Sequence, residues 1–118
     1  MVDMHELSIA SELLQQVASK VEMVASVREV HLRLGKMSGI NADSLLFGFE
    51  ALAPTMGYEN VKLHIEEMRS LIRCRMCNYE DTLDDFDQIR MPCPQCGNFD
   101  RSVNGGMECT LDHIILED

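Results

Sequence analysis

The sequence predicts an α+β protein: a small mixed sheet with two helices, together with a zinc-ribbon lobe. Three observations carry that prediction. Apolar residues recur at three- and four-residue steps along two stretches of the first half, the pattern of a helix with one buried face. Two shorter stretches alternate apolar and polar residues, the period of a half-buried strand. Two cysteine pairs, Cys74-Arg75-Met76-Cys77 and Cys93-Pro94-Gln95-Cys96, are separated by the fifteen residues 78–92. That spacing lets two tight turns face each other and aim four thiolates at one tetrahedral zinc ion.

In chain order, Leu7, Ala10, Leu14, Val17, Ala18, Val21 and Val24 draw one stripe and predict a helix over 7–24, with Met4-His5-Glu6-Leu7 standing just before it. Val30, Leu32 and Leu34 alternate with His31 and Arg33, which predicts a strand that Gly35 and Gly39 break. A second helix over 42–53 buries Leu45, Leu46, Phe49 and Leu52; Asn41 or Asp43 caps its start and Pro54 stops it. Val61, Leu63 and Ile65 alternate with Lys62, His64 and Glu66 in a second strand, and a β-rich run closes the chain over 109–116. Helix, strand, helix, strand and a late third strand fit a small sheet covered by two helices. The expected division is residues 1–70 plus 109–118 as one α/β lobe and 71–108 as the zinc-ribbon lobe. A segment of about 38 residues is too small to bury a core of its own, so metal binding supplies much of its folding free energy.

Composition excludes several classes. No apolar run approaches the roughly 18 residues a membrane span needs, and no charged-then-apolar leader opens the chain, so a cytoplasmic protein with no membrane partner is expected. A metal-type cysteine pattern agrees with a reducing compartment. Ten Lys and Arg against twenty Asp and Glu give a net charge of −10, which argues against nucleic acid, whose binding depends on neutralising phosphates. The acid is concentrated toward the end, where Glu80, Asp81, Asp84, Asp85 and Asp87 crowd one loop between the cysteine pairs. Such a loop is either a solvated face or a docking surface for a basic partner.

The chemistry-bearing residues point to metal and not to catalysis. A redox CxxC needs a helix start in a βαβ setting, which neither pair has. With all four cysteines spent on a closed site, the zinc has no open position for substrate water and is structural. There is no P-loop, GxSxG, HExxH or dinucleotide fingerprint, and no enzyme activity is expected. Cys109 reads as a buried inert thiol. His31 and His64 fall on the polar faces of their strands, where solvent is their expected surrounding, and His113 has no partner legible in the sequence. His5 differs because of its position near the N-terminus. A chain terminus offers a metal its amine, a deprotonated amide and an imidazole in adjoining chelate rings, and planar nitrogen ligands suit Ni(II) or Cu(II).

Met4-His5-Glu6-Leu7, two helices about a small sheet and the paired cysteine turns together resemble the HypA family, the nickel-incorporation proteins of NiFe-hydrogenase maturation. The resemblance covers nearly the whole chain from Met4 to Asp118. It implies that His5 is the essential nickel ligand, that Glu6 is an accessory residue, and that Cys74, Cys77, Cys93 and Cys96 hold a structural Zn(II). It implies further that Ni(II) is a transient cargo, delivered to a hydrogenase large-subunit precursor with the help of the GTPase HypB. Family members begin at the methionine of this motif, whereas Met1-Val2-Asp3 precede it here. Met4 therefore supplies a ligand amine if the chain begins there; otherwise the site uses other atoms. At the start of the second helix this chain has Asn41, where some relatives are expected to carry an acid. A monomer and a homodimer both stay open. The competing reading is a zinc-ribbon protein-interaction module without a second metal; a thiol oxidoreductase is a third, and it requires an accessible low-pKa cysteine.

Overall fold

The computed structural model describes residues 4–118. Its elements are α1 (Met4–Ala18), β1 (Val27–Gly35), α2 (Ala42–Leu52), β2 (Lys62–Met68), β3 (Ser70–Cys74), β4 (Glu80–Leu83), β5 (Arg101–Asn104) and β6 (Cys109–Leu116), with 3-10 turns at Val24–Ser26, Ala53–Met56 and Phe86–Arg90. Two three-stranded sheets form, in the orders β2-β1-β6 and β4-β3-β5. Two helices and small sheets make the α+β class expected from the sequence. The second sheet, inside the cysteine segment, has no counterpart in the sequence reading. The chain divides into two compact units: residues 4–33, Ile40–Glu66 and Thr110–Asp118 in the first, Leu34–Gly39 and Glu67–Cys109 in the second.

In the first unit, Ala10, Leu13, Leu14 and Val17 of α1 are buried at helical spacing beside Val27, Val30 and Leu32 of β1, Leu45 and Phe49 of α2, and Leu63 of β2. The helix begins earlier and ends earlier than the apolar stripe suggested, so Val21 and Val24 lie beyond it. Its last turn tightens where Lys20 N donates to Val17 O, and the Ser19 hydroxyl takes the carbonyl of Gln16, a bond that competes with the next step of the ladder. At the other end, Met4-His5-Glu6-Leu7 form the first turn of α1 and do not precede it. Glu6 is favoured there because a carboxylate interacts well with the positive end of the helix dipole.

Helix α2 starts as its sequence indicates: Asn41 is the N-cap and its Oδ1 accepts from Ser44 N at 2.9 Å. Its buried face includes Gly48, where an added Cβ would stand 3.4 Å from Leu7 Cδ1 and 3.6 Å from Ala10 Cβ, so α2 lies close on α1. Beyond the following 3-10 turn, the Tyr58 hydroxyl donates to Leu14 O at 2.6 Å and ties the loop to α1.

The second unit has a much smaller apolar centre, the cluster of Met37, Ile72 and Leu83. Strand β3 is its spine, pairing antiparallel with β4 (Ile72 opposite Asp81) and with β5 (Ile72 opposite Val103). Here two glycines permit a close backbone approach: a Cβ on Gly35 would overlap the Gly106 carbonyl, and one on Gly106 would overlap Ser70.

Candidate metal centre

The two cysteine turns are built alike. Cys74 N donates to Tyr79 O at 2.9 Å and Asn78 N returns to Cys74 O at 3.0 Å; Cys93 N donates to Asn98 O at 2.8 Å and Gly97 N returns to Cys93 O at 2.8 Å. The residue after each second cysteine is left-handed, Asn78 at φ 64 and Gly97 at φ 77, as its position in the turn demands and as Asn and Gly tolerate best. Each turn curls so that backbone N–H groups point at sulfur: the amides of Cys77 and Met76 at Cys74, those of Cys96 and Gln95 at Cys93.

The turns bring all four sulfurs within 4.8 Å of one another, with Cys74 Sγ to Cys96 Sγ and Cys77 Sγ to Cys93 Sγ both 3.6 Å. Sulfurs on a tetrahedral zinc at about 2.3 Å stand about 3.7 Å apart, so the set fits that ion. The thiols also show why a cation belongs there. The Cys77 amide lowers the Cys74 thiol below its ordinary value. Burial opposes ionisation of Cys93, yet the amides of Cys96 and Gln95 and the neighbouring sulfurs bring it down to about 6. The Tyr79 amide favours ionisation of Cys77, but burial and three adjacent sulfurs outweigh it and push that thiol up to about 12. Four crowded sulfurs cannot all carry charge alone, and a divalent ion removes the conflict.

One acid of the loop between the turns, Asp85, has a local role. Asp85 caps the 3-10 turn over Phe86–Arg90: its side chain accepts from Asp87 N at 2.9 Å while Gln88 Oε1 accepts from Asp85 N at 2.9 Å. Arg101 Nη1 donates to Gln88 O and Met91 O and holds the end of the same turn.

Of the residues expected near nickel, His5 is exposed in the first turn of α1, whereas Glu6, next to it in sequence, is only 4% exposed. Glu6 Oε1 accepts from Asn41 N at 3.0 Å, placing the carboxylate at the N-terminus of α2 as well as of α1. Glu6 Oε2 is buried and has no hydrogen-bond partner among the described residues. Met1-Val2-Asp3 and the side chain of Met4 lie outside the described residues.

Other sequence expectations change. Cys109 is exposed, because β6 presents that end of the strand outward. His31 and His64 are not simply solvated: the His31 ring stacks on His64 with centroids 4.6 Å apart and on His113 at 4.0 Å. Glu29, hydrogen-bonded by His31, is held below the usual carboxylate range, and so is Asp112, hydrogen-bonded by His113. The only sequence signal for this group was that His31 and His64 shared the polar phase of their strands.

Two helices on a small sheet, with a four-cysteine ribbon suited to structural zinc, define a small α+β metal-binding protein. A family model described as hydrogenase/urease nickel incorporation, metallochaperone, hypA, matches residues 4–116, and the chain belongs to that family. It is 41% identical over 118 residues to the hydrogenase maturation factor HypA of Roseiflexus sp. (strain RS-1), covering 98% of this chain and 94% of that one. To the hydrogenase maturation factor HypA of Methanococcus aeolicus it is 29% identical, over 97% of this chain and 98% of that one. Two solution structures share the fold. That of the Ni metallochaperone HypA from Helicobacter pylori aligns with TM-score 0.56 and 17% identity over 95% of this chain and 97% of that one. That of a HypA protein aligns with TM-score 0.61 and 19% identity over 97% of each chain. Nickel is thus the family's cargo, its context is hydrogenase maturation, and no helix among the described residues is long and apolar enough to cross a membrane.

Proposed function

We propose that this chain is a non-catalytic carrier that holds Ni(II) transiently at the start of its first unit and Zn(II) permanently in its second. His5 is the principal nickel ligand, Glu6 the accessory residue, and Met4 contributes its amine where the chain begins there. Cys74, Cys77, Cys93 and Cys96 hold the zinc, which keeps the ribbon folded. The carrier works in the cytoplasm with the GTPase HypB and passes nickel to a hydrogenase large-subunit precursor.

One observation supports the nickel reading most directly: an exposed imidazole on the first turn of α1, next in sequence to a buried carboxylate that Asn41 N holds by one oxygen only. A first-turn amide has no i−4 acceptor inside its own helix, so a metal bond at the His5 nitrogen costs the helix ladder nothing. Glu6 Oε2 has the unmet acceptor capacity that a cation or a metal-bound water satisfies.

Calorimetric titration of Ni(II) into zinc-loaded protein tests the proposal. His5→Ala should weaken the tightest nickel event more than tenfold with zinc content and helix signal unchanged; unchanged affinity would remove the site from the N-terminus. A chain starting at Met4 should bind nickel more tightly than the 118-residue chain, because its amine closes a small fused ring whereas an amine at Met1 closes a larger one at greater entropic cost. Identical affinities would exclude the amine as a ligand.

A further inference from the structure

The buried residues Val30 and Leu32 of β1 alternate with Glu29, His31 and Arg33, so these three share the opposite, more exposed face of the strand. The order β2-β1-β6 sets β1 in the middle of its sheet, and one histidine from each strand meets there: His64, His31 and His113 in a stack with both interplanar angles 13°. Glu29 reaches across two of the rings, its Oε1 2.8 Å from His31 Nε2 and 3.3 Å from His64 Nε2. Two donors bound to one tetrahedral ion at about 2.1 Å stand about 3.4 Å apart, and these three ligand atoms all lie within 4.8 Å of one another.

We propose that Glu29, His31 and His64 form a second binding site for a divalent first-row transition ion, distinct from the thiolate set and from His5. Two imidazoles and one carboxylate suit borderline ions such as Zn(II), Co(II) or Ni(II). The donors are partly exposed, with side-chain accessibilities of 37%, 27% and 49% in the order named, and they leave at least one position to water or to an incoming ligand. That makes the site exchangeable, unlike the closed cysteine set.

The surroundings are arranged to leave Glu29 to the ion. Asp112 Oδ2 holds His113 Nδ1 at 2.8 Å, which keeps the outer ring packed on His31, and Asp112 Oδ1 lies 3.6 Å from Arg33 Nε. Arg33 also stands 3.9 Å from Glu66. The remaining carboxylates therefore face a guanidinium or a histidine. His31, His64, Glu66, Asp112 and His113 line a shallow cleft over this part of the sheet.

The test uses the zinc-loaded full chain carrying His5→Ala, titrated with Co(II) by calorimetry and by NMR of the imidazole rings. One cobalt event should appear, broadening the ring signals of His31 and His64 before any others. Adding His64→Ala or the isosteric Glu29→Gln should weaken it more than tenfold while the amide spectrum stays that of the folded protein. Absence of broadening at His31 and His64, a cobalt event confined to the cysteines, or equal affinity in the Glu29→Gln variant would overturn the proposal. Since every arm lacks His5, the result is independent of the N-terminal nickel reading.

Discussion

The two units solve the same folding problem with different resources. The first buries Phe49, Leu14, Leu32, Leu45, Val17, Val27 and Val30 completely, enough apolar surface for two helices and a sheet to hold one another. The second buries a cluster of three apolar side chains and ends its spine strand in a cysteine. Ordering the backbone costs about 1–2 kcal/mol per residue in either unit, and three side chains cannot offset that over a segment of this size. A structural ion can, because its binding free energy is folding free energy. Apolar packing and metal ligation are thus interchangeable as sources of stability, but only the second is removed by a chelator.

The largest expected effect separates the units. Removing zinc with a chelator, or replacing Cys93 with Ser, should abolish amide protection throughout the second unit and leave the first unit's helical signal largely in place; joint loss of both would merge them into one cooperative fold. Acidification should act in the same direction, since each thiolate ligand must give up its place to a proton as pH falls, so zinc release and ribbon unfolding should coincide.

Phe49→Ala should do the converse. It removes a fully buried ring from the first unit and should cost about 3–5 kcal/mol of its stability. Zinc content, measured after purification, should remain one ion per chain.

Gly106→Ala tests the second unit without touching a ligand. Gly106 has φ 78, and its added Cβ would meet Ser70, so a penalty of at least about 1–3 kcal/mol is expected, read as easier zinc removal by chelator. Unchanged chelator kinetics would mean that the backbone there adjusts freely.

The smallest effect is Asn41→Ala. Losing the bond from Ser44 N should cost about 1 kcal/mol in the first unit alone. The bond from Asn41 N to Glu6 is a backbone donor's and should survive, so nickel affinity should hold while thermal stability drops.

Much of the architecture was legible in the residues. Ala10, Leu14 and Val17 mark α1 because helical spacing has one physical cause, and β6 is marked by Thr110, Leu111, Ile114 and Ile115, residues that suit a strand, on either side of Asp112 and His113. The ends of α1 were not legible: no glycine or proline marks its close, and the stop at Ala18 depends on a Ser19 hydroxyl bond that periodicity does not see. The sheet β4-β3-β5 was missed for a related reason. With Ile72 and Leu83 as its main buried apolar residues, its alternation is too sparse to register as a pattern.

The sequence by itself pointed to the cysteine centre, because ligands three positions apart in a tight turn are local and their spacing is that of a metal site. Only the tertiary structure decided that Glu6 is buried and held by Asn41, thirty-five positions away, and that His31, His64 and His113 meet on one face. Those contacts depend on strand order and helix packing, which arise from the summed burial of many side chains and mark the few polar residues they bring together by no more than the polar phase of their strands.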